Sequence, residues 1–198
     1  MFISTFNEVA FKALDRFSME NGPQTVIIYG DDGVGKSELL KSLYHKMQNE
    51  PYRTIYYQAE KFSREFAYTL SAGRIKAFRN KVRKADLFIL DDLHKLTGKQ
   101  RTIEELFYTY DSIILQGGKF AISCSGLHLS FAYLGERFAS RLLSSVSIPV
   151  FQPEKLEIQE FIRYCNQQFF SGKIDIDQIM LKSPVNLKNT MELLRDSS

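Results

Sequence analysis

Eight residues, Gly30-Asp31-Asp32-Gly33-Val34-Gly35-Lys36-Ser37, constrain this chain more than any other stretch, because they satisfy the phosphate-loop pattern G-x-x-x-x-G-K-[ST] at every fixed position. So short a pattern also turns up by chance, and its flanks decide. Before it, Thr25-Val26-Ile27-Ile28-Tyr29 is a β-branched apolar run that reads as a buried parallel strand. After it, Lys36 to Gln48 places Leu39, Leu40, Leu43, Tyr44 and Met47 at helical spacing. Strand, loop and helix in that order make a phosphate cradle: glycines let backbone N–H groups turn inward, and the helix N-terminus adds partial positive charge. In such a cradle Gly30, Gly33 and Gly35 shape the backbone. Lys36 reaches the β/γ-phosphates and the Ser37 hydroxyl ligates Mg²⁺. The expected ligand is ATP or ADP with Mg²⁺.

A second apolar run, Leu87-Phe88-Ile89-Leu90, delivers Asp91-Asp92 at its end. A strand that carries a carboxylate to the same sheet edge as the phosphate loop is how such proteins hold Mg²⁺, and Asp91 takes that role. Asp92, one residue on, is placed to polarise the attacking water and is the general-base candidate. The 55 residues from Lys36 to Asp91 leave room for helix, strand and helix, and make insertion of a strand between the two in space plausible.

A chain of 198 residues suits one large domain, or one domain with a small appendage. With 44% hydrophobic and 25% charged residues it has an ordinary globular composition, and a net charge of +3 is too small to announce nucleic acid, so any basic surface must be local. Cys124 and Cys165 stand far apart, which argues against a disulfide scaffold or zinc site and for a reducing compartment. No apolar stretch is long enough for a membrane span and the N-terminus has no signal-peptide architecture, so the expected location is cytoplasmic, with no membrane partner.

Phe2 to Met19 has a helix-compatible apolar face ended by Asn21-Gly22-Pro23, and Thr54 to Tyr57 is a second strand. Glu60 to Lys84 forms one or two helices with a break at Gly73. Its second part, Arg74 to Lys84, is strongly basic: either a solvated helix face or a surface for nucleic acid or a partner. A helix follows Thr102 and ends at Gly117-Gly118, and Phe120 to Ser125 is a further strand, at whose end Ser125 is a candidate γ-phosphate sensor. Glu136 to Arg141 is a short helix with two arginines a turn apart, followed by the strand Val146 to Val150. From about Pro153 the pattern is helical, with Leu156, Ile158, Phe161, Ile162 and Cys165 inward. The expected fold is α/β: a parallel five-stranded P-loop sheet with flanking helices over 1–152, plus a small helical lid over 153–198.

The order of these parts resembles the AAA+ ATPase domain of the bacterial replication initiator DnaA and its regulatory relative Hda, from about Thr5 to Leu194. Ala59-Glu60-Lys61-Phe62 with Phe78-Arg79-Asn80-Lys81-Val82-Arg83 resembles the helical insertion particular to initiators. Leu90-Asp91-Asp92-Leu93, then Gly98-Lys99 and Glu104-Glu105-Leu106-Phe107, is similarly particular to the family. The resemblance implies that Lys99, Arg101 and Ala67 stand where initiators contact single-stranded DNA. It also implies that Arg141 matches the arginine finger, Arg137 the second arginine of that motif, and Lys188 the lid's sensor arginine. Lysine at 188 keeps the charge without the bidentate fork, and Ser125 stands where initiators have an acidic sensor. No helix-turn-helix domain follows Leu194, so the chain is a stand-alone relative or a fragment, and Met1 near the start of the resemblance favours the former.

Three function classes follow. The first is an ATP-dependent assembly switch, a slow ATPase, that self-assembles or joins a full-length initiator and grips one DNA strand. The second is a regulatory partner that presents Arg141 to an initiator's ATP without binding DNA. The third is an ATPase that works with the replicative helicase as a helicase loader, or one that acts in transposition.

Overall fold

The computed structural model describes residues 2–126, 131–170, 172, 174–182 and 186–196. Its centre is a parallel sheet built from β1 (Thr25–Gly30), β2 (Thr54–Gln58), β3 (Leu87–Asp91), β4 (Lys119–Ser125) and β5 (Val146–Pro149), in the order β2-β3-β4-β1-β5. All five residues of β3 are buried, as are six of the seven of β4, because helices cover both faces; such strands read as continuous apolar runs. The strand inserted between β1 and β3 is β4, whereas β2, which lies between them in sequence, forms the outer edge.

Successive side chains point to opposite faces and fill two cores. On one face Val26, Ile28, Leu87, Ile89 and Ala121 pack with α1 (Glu8–Asp15), α2 (Lys36–Met47), α7 (Lys155–Phe169), α8 (Ile176–Leu181) and α9 (Leu187–Asp196). On the other, Ile27, Phe88, Leu90, Phe120 and Ile122 meet α3 (Ala59–Ser71), α4 (Ile75–Val82), α5 (Gln100–Leu115) and α6 (Glu136–Leu143). Rings carry much of the second core, with Phe88 stacked on Tyr57 at 5.9 Å and on Phe120 at 5.0 Å. The expected break at Gly73 separates α3 from α4. The five-stranded parallel α/β sheet with flanking and C-terminal helices is as the sequence led us to expect.

The first helix is shorter than its apolar spacing predicts, covering Glu8–Asp15 rather than Phe2 to Met19. Asn7 ends it at the front: its side chain accepts from the Ser4 N–H at 3.0 Å and donates to the Phe2 carbonyl at 3.1 Å, a local loop that competes with helix. Phe2 instead lies against Phe161 and Tyr164 of α7. Behind it, the Ser18 and Asn21 carbonyls turn away to accept from Lys119 Nζ at 2.6 and 2.8 Å.

Glu157 ties this N-terminal loop to α7. It completes a capping box with Glu154, and its Oε1 accepts from the Ser4 and Thr5 hydroxyls at 2.7 and 2.6 Å. Burial pushes this carboxyl up, but the donors from Thr5, the Glu154 N–H, Ser4 and the Phe6 N–H outweigh it and hold it below its ordinary value of 4.5. A depressed carboxylate stabilises the fold fully above its unfolded value and loses that contribution as pH falls through its folded value. The Tm difference between the parent and Glu157→Gln is therefore expected to be constant above about pH 5.5 and to shrink below about pH 4.5. Calorimetric scans from pH 7 to 3 measure it, and a difference that did not change with pH would exclude this role.

Candidate functional site

The loop from β1 to α2 turns on its glycines. Gly30 passes so close to Val150 that a Cβ there would strike its carbonyl oxygen, and the Val150 N–H donates to the Tyr29 carbonyl at 2.7 Å. Gly33 has φ +83°, and a Cβ on it would lie 2.6 Å from Asn186 Oδ1. Gly35, with φ 100°, precedes α2, whose N-terminus no side chain caps. That terminus therefore keeps free N–H donors for an anion. Ser37 is the second residue of α2 and is half-buried.

Lys36 is 5% exposed, and its ammonium donates to the Gly30 and Asp31 carbonyls at 2.9 and 2.6 Å. Burial pulls its pKa below the usual lysine value, against the nearby charges of Asp32 and Asp92. A charge so poorly solvated gains from any anion placed beside it.

Asp91, at the end of β3, is fully buried, and both its oxygens are occupied. Tyr56 on β2 donates to Oδ2 at 2.7 Å, and Ser123 on β4 to Oδ1 at 2.5 Å. The Ser123 hydroxyl also accepts from the Asp92 N–H at 2.8 Å. Burial and this bond to a carboxylate push the Tyr56 phenol far up, so it stays a donor. Asp92 itself has φ 62° and ψ 48°, the one non-glycine at positive φ among the described residues, and its carboxylate meets Lys95 Nζ at 2.8 Å. A non-glycine backbone in this region is strained and has to be held by its surroundings, here by Ser123 and Lys95.

The end of β4 closes the arrangement. Ser125 Oγ donates to Asp32 Oδ1 at 2.6 Å, and that bond, against the effect of burial and with the charge of Lys36, depresses the Asp32 carboxyl. The Ser125 N–H donates to His94 Nδ1 at 3.1 Å, which puts the proton of a neutral ring on Nε2. Lys188 is exposed on α9, yet its N–H donates to the Gly33 carbonyl at 3.3 Å, so the start of α9 sits on the loop.

The structure thus brings Gly30, Gly33, Gly35, Lys36, Ser37, Asp91, Asp92, Ser125 and the Lys188 backbone to one edge of the sheet. Lys99, Arg101 and Ala67 are exposed and adjoin elsewhere: a Ser63–Thr102 hydroxyl pair at 3.1 Å joins α3 to the start of α5, with Ala67 one turn along. Arg137 and Arg141 lie on α6, exposed; the latter has one ion pair among the described residues, with Asp111 at 3.9 Å. Tyr56, Ser123, His94 and Lys95 were not foreseen. Ser123 had a signal, since two residues before Ser125 on a strand it shares that side chain's face. Tyr56 had none, because nothing local marks β2 as the neighbour of β3.

The residues present fit a nucleotide with one Mg²⁺. The uncapped α2 terminus and buried Lys36 suit phosphates, and Ser37 with Asp91 suits a metal that keeps most of its shell from water and phosphate oxygens. No cluster of three or more carboxylate, histidine or cysteine ligands occurs among the described residues.

The model of the bacterial DnaA ATPase domain matches residues 1–149. The chain belongs to that family. A similar relative is the chromosomal replication initiator protein DnaA of Treponema denticola, 30% identical over 171 residues, covering 86% of this chain and 35% of that protein. The chain spans about a third of the length of the curated relatives it matches. Among solved structures, AMPPCP-bound DnaA from Aquifex aeolicus superposes with a TM-score of 0.85 at 23% identity, over 98% of this chain and 62% of that one. A replication initiator DnaA bound to AMPPCP and single-stranded DNA gives the same TM-score, identity and coverage. The AAA+ fold of the family accounts for the sheet order and the C-terminal helices. No helix among the described residues is long and apolar enough to cross a membrane.

Proposed function

We propose that this family member binds ATP with Mg²⁺ and uses slow hydrolysis as a switch for assembly during initiation of bacterial chromosomal replication, in the cytoplasm. The observation that carries the reading is Lys36: a buried ammonium that donates to two backbone carbonyls, beside an uncapped helix terminus and a buried Asp91. Residues 1–152 form the ATPase body and 153–198 the lid. Gly30, Gly33, Gly35 and Ser37 hold phosphates and metal, Asp91 holds the metal's water shell, and Asp92 orients the attacking water once freed from Lys95. Mg²⁺ held by Ser37 and Asp91 would supply neutralisation of the charge that develops on the phosphates. Ser125 and Lys188 register the nucleotide from the strand end and the lid.

Single-stranded DNA contacts Lys99, Arg101 and the adjoining Ala67 surface in this reading; a similar initiator structure bound to single-stranded DNA supports the choice of ligand. Fluorescence anisotropy of a labelled single strand, with ATP and with ADP at several salt concentrations, tests it. Binding is expected to require ATP. The Lys99→Ala/Arg101→Ala protein is expected to bind about 10-fold more weakly, with a salt slope smaller by about 1.4, the value for two lost phosphate contacts. No binding in either nucleotide state would overturn this and favour a regulatory partner of a full-length initiator. For that second reading the supporting observation is Arg141, 59% exposed with one long ion pair and so accessible to a neighbour's nucleotide.

A further inference from the structure

The basic stretch left open in the sequence resolves into a built cavity on the far side of the sheet from the nucleotide edge. An open cavity of about 420 Å³ is lined by Lys76, Arg79, Asn80, Arg83, Lys84, Ser112 and Gln116. Four of the seven are cations, and none is acidic or aromatic. Lys76, Arg79, Asn80, Arg83 and Lys84 fall at i, i+3, i+4, i+7 and i+8, one face of α4 and its C-terminal end. Ser112 and Gln116 come from the last turn of α5 and the residue beyond it. Because α4 leads into the start of β3 and α5 into the start of β4, the cavity lies at the amino edge of these parallel strands. Asp91 and Ser125 mark the carboxyl edge, roughly 15 Å away by strand rise.

The two arginines are fixed from beneath. Glu105, 3% exposed, accepts from Arg79 Nη2 at 2.7 Å and from Arg83 Nη2 at 2.6 Å, so one buried carboxylate orients two guanidinium groups. One carboxylate balances only one of the four cations. Lys76 and Lys84 are exposed and have no carboxylate partner among the described residues. Asp86, two residues beyond Lys84, accepts from the Arg53 N–H at 2.7 Å. Arg83 Nε is buried and has no hydrogen-bond acceptor among the described residues, so the donors open to a ligand in the cavity are the other guanidinium N–H groups and the two ammonium groups. An anionic oxygen in the cavity would meet donors already held in place.

We propose that this cavity binds the phosphate backbone of duplex nucleic acid, as a second nucleic-acid surface separate from the one around Lys99 and Arg101. The cavity's lining offers no ring on which the bases of a single strand could stack, which favours a duplex held by its backbone. A row of cations along a helix face, with arginines pre-oriented, suits regularly spaced phosphates and gives no base readout.

The test is anisotropy of a labelled 20-base-pair duplex of arbitrary sequence against the intact chain across a salt series. Lys76→Ala/Lys84→Ala spares the Glu105 clamp; it is expected to bind the duplex about 10-fold more weakly, with a salt slope smaller by about 1.8. It should retain its melting temperature and its affinity for ATP. Lys99→Ala/Arg101→Ala should keep duplex binding while binding the single strand more weakly, so failure of one surface is read separately from failure of the other. Parent-like duplex affinity and slope in Lys76→Ala/Lys84→Ala, or no duplex binding by the parent, overturns the proposal. So does competition by poly-glutamate stronger than by DNA of equal charge, which would assign the cavity to an acidic protein segment.

Discussion

Lys36→Ala is expected to lower the affinity for MgATP by about 10- to 100-fold while leaving the fold intact. The ammonium is the one positively charged side chain buried in the loop, and its hydrogen bonds to phosphate would be charge-assisted, worth about 1.5–3 kcal/mol together with the loss of one attraction in a poorly solvated place. The same group donates to the Gly30 and Asp31 carbonyls at the cost of its own burial, so removing it costs little stability. Titration calorimetry with ATP, beside a melting curve without it, separates the two quantities. Parent-like affinity would end the reading of the loop as a phosphate site; a collapsed melting curve would show that Lys36 serves the fold instead.

Glu105→Ala is expected to destabilise the fold markedly although it lies far from the nucleotide edge. It removes the acceptor of Arg79 and Arg83 and leaves two cations facing each other over a void. Breaking a fully buried pair costs about 3–5 kcal/mol. Here Arg79 and Arg83 keep 43% and 28% of their side chains exposed and can rehydrate, so about 2–3 kcal/mol is the reasonable figure. For a domain of this size that is a fall in Tm of about 4–12 °C. Glu105→Gln, which keeps an acceptor, should fall less. If the alanine variant melted within a degree of the parent, the carboxylate would not be holding the arginines.

How far the chain could be read in advance depended on how local each signal was. The phosphate loop, Asp91 and the Gly73 break announce themselves through short patterns, and the strands through runs that reflect burial on both faces. The length of the first helix was misjudged because Phe2 has the right spacing for α1 but finds its partners in α7, more than 150 residues away. The residues around Asp91 were invisible for the same reason. Tyr56 reaches it only because β2 pairs with β3, and Ser123 only because β4 lies between β3 and β1. Glu105 was noticed as part of a family motif, yet its task as a clamp depends on α4 and α5 meeting. Runs of charge do not reveal which members share a buried counter-ion.

The strand order also sets a timetable for synthesis. β1 carries the phosphate loop, but its neighbours in the sheet are β4 and β5, and β2 and β3 pair elsewhere. Gly30 and Lys119 are 89 positions apart, so at 5–20 residues per second the ribosome needs about 4–18 s after finishing β1 before its first partner exists. Through that interval an apolar strand and its loop have no sheet to join, while β2 and β3 can already pair. A nascent chain halted between β3 and β4 would hold half a sheet and no working cradle, and nucleotide could first assist folding only when β4 emerges.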